Sequence, residues 1–190
     1  MDKRFEKPLA LVIDMQNVYS KGQQWECENF DCALFNINKL LECMPKEDVI
    51  FTRYIASESP TGVWKDYNRE NESVNNNEWL NEIADALKEN SKKYACYDKS
   101  VYSSLSIDEI KTKMQEKTCV VVTGVVAECC VLSTVMDLID EGVYVVYLKD
   151  AIAGINEETE KATLKILEGL APLHLKIMGI EDYLERRNNC

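Results

Sequence analysis

Apolar positions along the chain follow two alternating periods. Residues 8–14 (PLALVID) form a continuous apolar run closed by an acid, as in a strand buried on both faces. Residues 30–44 space Phe30, Leu34, Ile37, Leu40, Leu41 and Met44 three to four apart, which predicts an amphipathic helix. Val49-Ile50-Phe51-Thr52 reads as a second strand. Helical spacing returns over 78–89 with Trp79, Leu80, Ile83, Ala84 and Leu87, and a short apolar piece follows at 94–97. The second half repeats the alternation. It predicts helices over 106–116, 128–141, 156–168 and 179–187, and strands over 118–123, 143–148 and 173–177. Ser106 or Asp108 is placed as an N-cap, and Gly142 as a C-cap.

Strands alternating with helices of this length make βαβ units and a parallel sheet. Right-handed crossovers then lay helices on both faces. The expected fold is α/β: three α/β/α layers around a mainly parallel, Rossmann-like sheet of about six strands. A single domain over 1–190 is expected, since roughly 70% of the unfolded surface can be buried at this length. Residues 56–77 (ASESPTGVWKDYNRENESVNNN) break the pattern. Trp64 and Tyr67 need something to pack on, so this stretch is expected to be an ordered loop on the ligand side of the sheet.

Charge narrows the partners. Lys+Arg number 22 against 33 Asp+Glu, for a net charge of −11, and clustered cations for a phosphate backbone are missing. The most apolar stretch, 119–127, is about half of the roughly 20 residues a spanning helix needs. The first residues lack the long apolar region of a secretory leader. The eight cysteines, at 27, 32, 43, 96, 119, 129, 130 and 190, show no CxxC spacing and read as reduced thiols of a cytoplasmic protein. One histidine, His174, set in an apolar strand and read as structural, leaves no ligand set for zinc.

In an open parallel sheet, ligands bind beyond the carboxyl ends of the strands. Asp14, Thr52-Arg53-Tyr54, Asp98-Lys99, Thr123-Gly124 and Asp150 are the candidates that rule selects. Alone, Asp14 is a turn cap, Lys99 a surface charge and Cys130 a small buried hydrophobe. Together they offer a cysteine at a helix start, where the helix dipole and an ammonium would lower its pKa, with a carboxylate to carry the proton.

These residues resemble the isochorismatase-like superfamily of cysteine hydrolases, which includes nicotinamidases and N-carbamoyl amidohydrolases. The resemblance covers roughly residues 8–180. Ala10 to Asn17 (ALVIDMQN) resembles the family's first strand and its D-M-Q-N. Lys99 to Leu105 resembles K-x-x-x-S-x-F, with Leu105 in place of Phe. Thr123 to Thr134 resembles T-G-x-x-x-(D/E)-x-C-V-x-x-T, and Asp150-Ala151 a later D-A. The resemblance implies Asp14 as general base, Lys99 as the charge favouring thiolate, and Cys130 as nucleophile with Cys129 packed beside it. It implies a cis Val125–Val126 peptide and an oxyanion hole from the amides of Val126 and Cys130. The implied reaction is cleavage of a C–N bond in a small amide or N-carbamoyl compound through a thioester.

Nicotinamidases of this family bind a metal through an Asp and histidines after the second strand. This chain reads Thr52 to Glu58 (TRYIASE) there. No metal and no other cofactor is therefore expected. Substrate contacts are expected from Asn17, Arg53, Trp64, Tyr67 and Asn68. Arg53 would clamp a carboxylate or pair with an acid. Trp64 and Tyr67 would wall the site, of this subunit or a neighbour, or simply pack the loop. A small-molecule substrate, no nucleic-acid or membrane partner, and a homo-oligomer (dimer or tetramer) are expected. Isochorismatase-type or nicotinamidase-type hydrolysis, a non-catalytic small-molecule-binding protein, and a thiol redox protein using Cys129-Cys130 or Cys96 are the alternatives.

Overall fold

The computed structural model describes residues 2–188. Six strands form one all-parallel sheet: β1 (Pro8–Ile13), β2 (Val49–Tyr54), β3 (Ala95–Lys99), β4 (Cys119–Val125), β5 (Val145–Ala153) and β6 (Leu175–Met178). Their spatial order is β3-β2-β1-β4-β5-β6. The chain winds outward one way from β1 and the other way from β4. The carboxyl ends of those two neighbours therefore flank the crevice that parallel sheets use for ligands.

Alternation along β1 explains the layers. Ala10 and Val12 point into one core with Phe51, Ile37, Leu40, Ile180 and Tyr183. Leu9, Leu11 and Ile13 point into the other with Ile50, Ile110, Val135, Leu138 and Leu167. The first core lies under α1 (Phe30–Cys43) and the terminal helix. The second lies under the helices that follow β3, β4 and β5. β1 and β4 are buried along their whole length, so both read as unbroken apolar runs. No helix of the described residues is long and apolar enough to cross a membrane.

Four expectations need correction. Residues 56–77 are not a bare loop: they fold into α2 (Trp64–Glu70) and α3 (Glu72–Asn75). The helix expected over 78–89 is two pieces, α4 (Glu78–Asn81) and α5 (Asp85–Ser91). The turn after β1 pulls the backbone between them straight. Asn17 N donates to Glu82 O at 3.0 Å, and Ala84 N donates to Met15 O at 2.8 Å. Local helical spacing loses here to tertiary hydrogen bonds. α6 (Asp108–Met114) follows β3, where the helix over 106–116 is expected. The third correction is to the helix at 128–141, which begins as a single π turn, Ala127–Val131, before α7 (Leu132–Asp140). Fourth, β5 runs through Asp150 to Ala153. Asp150 is thus inside the strand, and its carboxylate accepts from Ile180 N at 2.9 Å, at the start of α9 (Ile180–Asn188). α8 (Glu157–Glu168) occupies the expected 156–168 and carries an Asn156 capping box.

Candidate active site

Asp14 directly follows β1 and is the one non-glycine described residue with positive φ, at 51°. Its side chain turns inward and is fully buried. The adjacent strand β4 packs so tightly against β1 that a Cβ on Gly124 would stand 2.0 Å from the Ile13 carbonyl oxygen. Only glycine fits there, and its φ of 106° favours glycine too. Two residues on, the Val125–Val126 peptide is cis, as the resemblance implied. The π turn then carries Cys130 back toward Asp14.

Lys99 closes the group. It ends β3, two strands away from β1, so its four-carbon stem must cross the end of β2. Its Nζ lies 2.6 Å from Asp14 Oδ2 and 3.4 Å from Cys130 Sγ, and it also donates to Val101 O at 3.1 Å. Tyr54, at the end of β2, puts its ring 5.9 Å from the same ammonium. Asp14, Lys99 and Cys130 are 0%, 4% and 3% exposed. Three distant segments thus meet in a dry contact. On the other side of Asp14, Thr52 Oγ1 donates to Oδ1 at 2.7 Å.

The electrostatics correct one expectation. Burial pushes the Cys130 thiol up, the Asp14 carboxylate pushes it further, and the Lys99 ammonium opposes both. The net direction is upward, not down. Lys99 cannot prevail because its charge is shared with Asp14 at closer range. Burial disfavours the ammonium itself, yet Asp14 and Cys130 outweigh this and raise Lys99. The thiol is thus held protonated more firmly than an ordinary cysteine, beside the Asp14–Lys99 ion pair.

The π turn is held from several sides. Thr134 Oγ1 donates to Cys130 O at 2.7 Å and accepts from Ser104 N at 2.9 Å, which joins two of the sequence motifs directly. Glu128 Oε1 accepts from Ile155 N at 3.2 Å, beyond β5. Val126 O accepts from Cys129 N and Val131 N at 3.0 and 3.1 Å. Cys129 packs against the core that contains Cys27.

An aromatic cluster covers this end of the sheet. Trp64 lies 5.0 Å from Tyr102, 5.4 Å from Tyr67 and 6.2 Å from Tyr54, between ring centroids. Trp25 adds contacts to Tyr19, Tyr54 and Tyr67 at 5.7, 6.1 and 6.3 Å. The phenols of Tyr19, Tyr54, Tyr67 and Tyr102 are all raised, chiefly by burial. Asn68 accepts from the Tyr54 hydroxyl at 3.3 Å and so belongs to this wall.

Two expected substrate contacts lie elsewhere. Arg53 points away from Asp14, because strand alternation sends Thr52 and Arg53 to opposite faces. Its guanidinium forms a bidentate pair with Asp98, at 2.7 and 2.9 Å. That is the ion-pair alternative, not the carboxylate clamp. Asn17 is buried and spends its amide on Trp79 O and Asp85 N, at 2.9 and 3.1 Å, so it builds the turn after β1. His174 is also not in a strand. It is exposed just before β6, and its carbonyl accepts from Val145 N. A groove of about 810 Å3 lies at the amino ends of β2 and β3, lined by Val49, Ile50, Ala95, Tyr97 and α6, and it holds none of these site residues.

Residues 8–178 match the model of the isochorismatase domain. The chain belongs to the isochorismatase domain family of hydrolases. No curated protein matches the chain. Solved structures share its fold at low identity. A cysteine hydrolase from Pseudomonas syringae pv. phaseolicola is 20% identical, with a TM-score of 0.79 over 98% of this chain and 94% of that one. A nicotinamidase from Bacillus subtilis is 19% identical, with a TM-score of 0.74 over 90% and 98%. A pyrazinamidase of Pyrococcus horikoshii, solved in complex with zinc, is 21% identical, with a TM-score of 0.71 over 91% and 99%.

A metal centre would need donor side chains just after β2. After β2 come Ile55, Ala56 and Ser57, and Tyr54 faces Lys99. Among the described residues no group of three or more His, Cys, Asp or Glu is placed to hold an ion. The residues present do not fit such a centre.

Proposed function

We propose that this family member is a cysteine-dependent hydrolase that cleaves a C–N bond in a small amide or N-carbamoyl compound, with no step through a metal. The observation that carries this reading is the meeting of Asp14, Lys99 and Cys130 in one buried contact. Asp14 takes the Cys130 proton as the sulfur attacks the carbonyl carbon. Because the thiol is held up in the resting state, deprotonation and attack belong to one step. Lys99 stabilises the negative charge while it moves from carboxylate to sulfur. The amides of Val126 and Cys130 receive the oxyanion, an effect worth about 3–4 kcal/mol per donor in other enzymes. Asp14 then gives its proton to the leaving ammonia or amine. A thioester remains on Cys130. Water hydrolyses it, with Asp14 again taking a proton, and the acid product leaves with the thiol restored. Trp64, Tyr67 and Asn68 form part of the wall beside the reacting carbonyl.

The test is ammonia release from a panel of primary amides and N-carbamoyl compounds, with Cys130→Ala as control and a chelator added. Release that needs Cys130 and ignores the chelator supports the reading. Release that survives Cys130→Ala, or stops with the chelator, contradicts it.

A further inference from the structure

We propose that Thr52 is a positioning residue for Asp14, acting through its hydroxyl. The proposal rests on the reading of Asp14 as the base for Cys130. Thr52 is fully buried on β2, next to β1. It holds Asp14 twice: its Oγ1 donates to Asp14 Oδ1 at 2.7 Å, and its carbonyl accepts from Asp14 N at 3.1 Å. The main-chain bond serves a residue in the left-handed region, which side chains other than glycine seldom adopt. The side-chain bond acts on the carboxylate itself.

A carboxylate held at one oxygen by a flexible lysine can still pivot about its Cβ–Cγ bond. Here the two oxygens have different donors, Thr52 at Oδ1 and Lys99 at Oδ2. Together they fix the plane of the group and its direction toward the sulfur. A reacting pair that must pass a proton is sensitive to displacements of about 1 Å, which can cost 100-fold in rate. Thr52 touches neither Cys130 nor the reacting carbonyl in this account; its effect passes through Asp14.

Two substitutions separate the hydroxyl from the bulk. Thr52→Val keeps the shape and loses the donor; Thr52→Ser keeps the donor and loses the methyl. The readout is the rate at which iodoacetamide alkylates Cys130 in the full chain. An S–C bond forms, iodide leaves, and the thiol proton passes to Asp14. Thr52→Val is expected to slow labelling by roughly tenfold or more, and Thr52→Ser to stay within about threefold of wild type. The reverse pattern, with Val labelling normally and Ser slowly, assigns Thr52 a packing role and overturns the proposal. Should Thr52→Val not fold, Thr52→Ala against Thr52→Ser isolates the same hydroxyl, and equal rates overturn it. Asp14→Asn separates the two layers. Wild-type labelling in Asp14→Asn removes the base reading itself; slow labelling there with normal labelling in Thr52→Val removes only the role of Thr52.

Discussion

Lys99 and Asp14 are joined by a 2.6 Å ion pair with both side chains shut off from water, although their strands are separated by β2. Such a pair is weak ground for stability taken whole but costly to break, because the survivor is left as a buried charge. Lys99→Met is therefore expected to lose about 3–5 kcal/mol. The double variant Asp14→Asn with Lys99→Met, which leaves neither charge, is expected to recover most of that loss. Urea unfolding of the three proteins checks this. A double variant no more stable than Lys99→Met would show that the pair is not the source of the loss.

The raised Cys130 thiol has a spectroscopic consequence. An ordinary cysteine titrates near pH 8.5. Burial and Asp14 move Cys130 upward against the pull of Lys99. Thiolate absorbance near 240 nm, taken as wild type minus Cys130→Ala, is expected to show no step from about pH 5 to about pH 8.5. A step below that limit would mean that a thiolate already exists in the resting protein.

Alkaline stability follows from Cys119. Burial carries its thiol up to about 12, with Arg187 opposing and Asp2 adding to the rise. A group raised in the folded state gives stability that is complete below its unfolded pKa and is lost as pH rises through the folded one. The window is therefore from about pH 8.5 to about pH 12. The slope for one such group is at most about 1.4 kcal/mol per pH unit. Cys119→Val, which cannot ionise, is expected to gain on wild type at up to that rate as pH rises through the window. Parallel urea midpoints for the two proteins would contradict it.

Gly124→Ala tests the packing that brings the site together. The new Cβ would meet backbone, not a movable side chain, at 2.0 Å from Ile13 O. Loss of more than about 4 kcal/mol, or no cooperative unfolding at all, is expected. A melting temperature within a few degrees of wild type would show that β1 and β4 can part there without harm.

The meeting of three distant side chains was legible because it takes place at strand ends. Asp14, Lys99 and Cys130 each follow an apolar run, and their motifs occur in order. The errors have local causes. Arg53 looked available because it closes a strand, yet simple alternation already sends it opposite Thr52. That same alternation marks Thr52 and Tyr54 as the inward pair. The helix at 78–89 failed because Asn17 and Met15, more than 60 residues away, claim its middle. Nothing in spacing shows such a claim. Tyr19 and Trp25 follow β1 and Tyr102 follows β3, so only the folded chain assembles them with Trp64 and Tyr67.

The upward shift of Cys130 was not legible either. The helix start and the lysine argue for a low pKa, while desolvation argues the other way. Their balance depends on how fully the sulfur is covered, which is a property of the packed site.

The most direct measurement is the covalent state of Cys130 during turnover. An amide that releases ammonia is mixed with the protein, the reaction is quenched in acid, and the peptide spanning residues 129–130 is sequenced by mass spectrometry. An added acyl group on Cys130 is expected, still present in Cys129→Ala and missing in Asp14→Asn. Undiminished turnover with an unmodified sulfur at position 130 would contradict it.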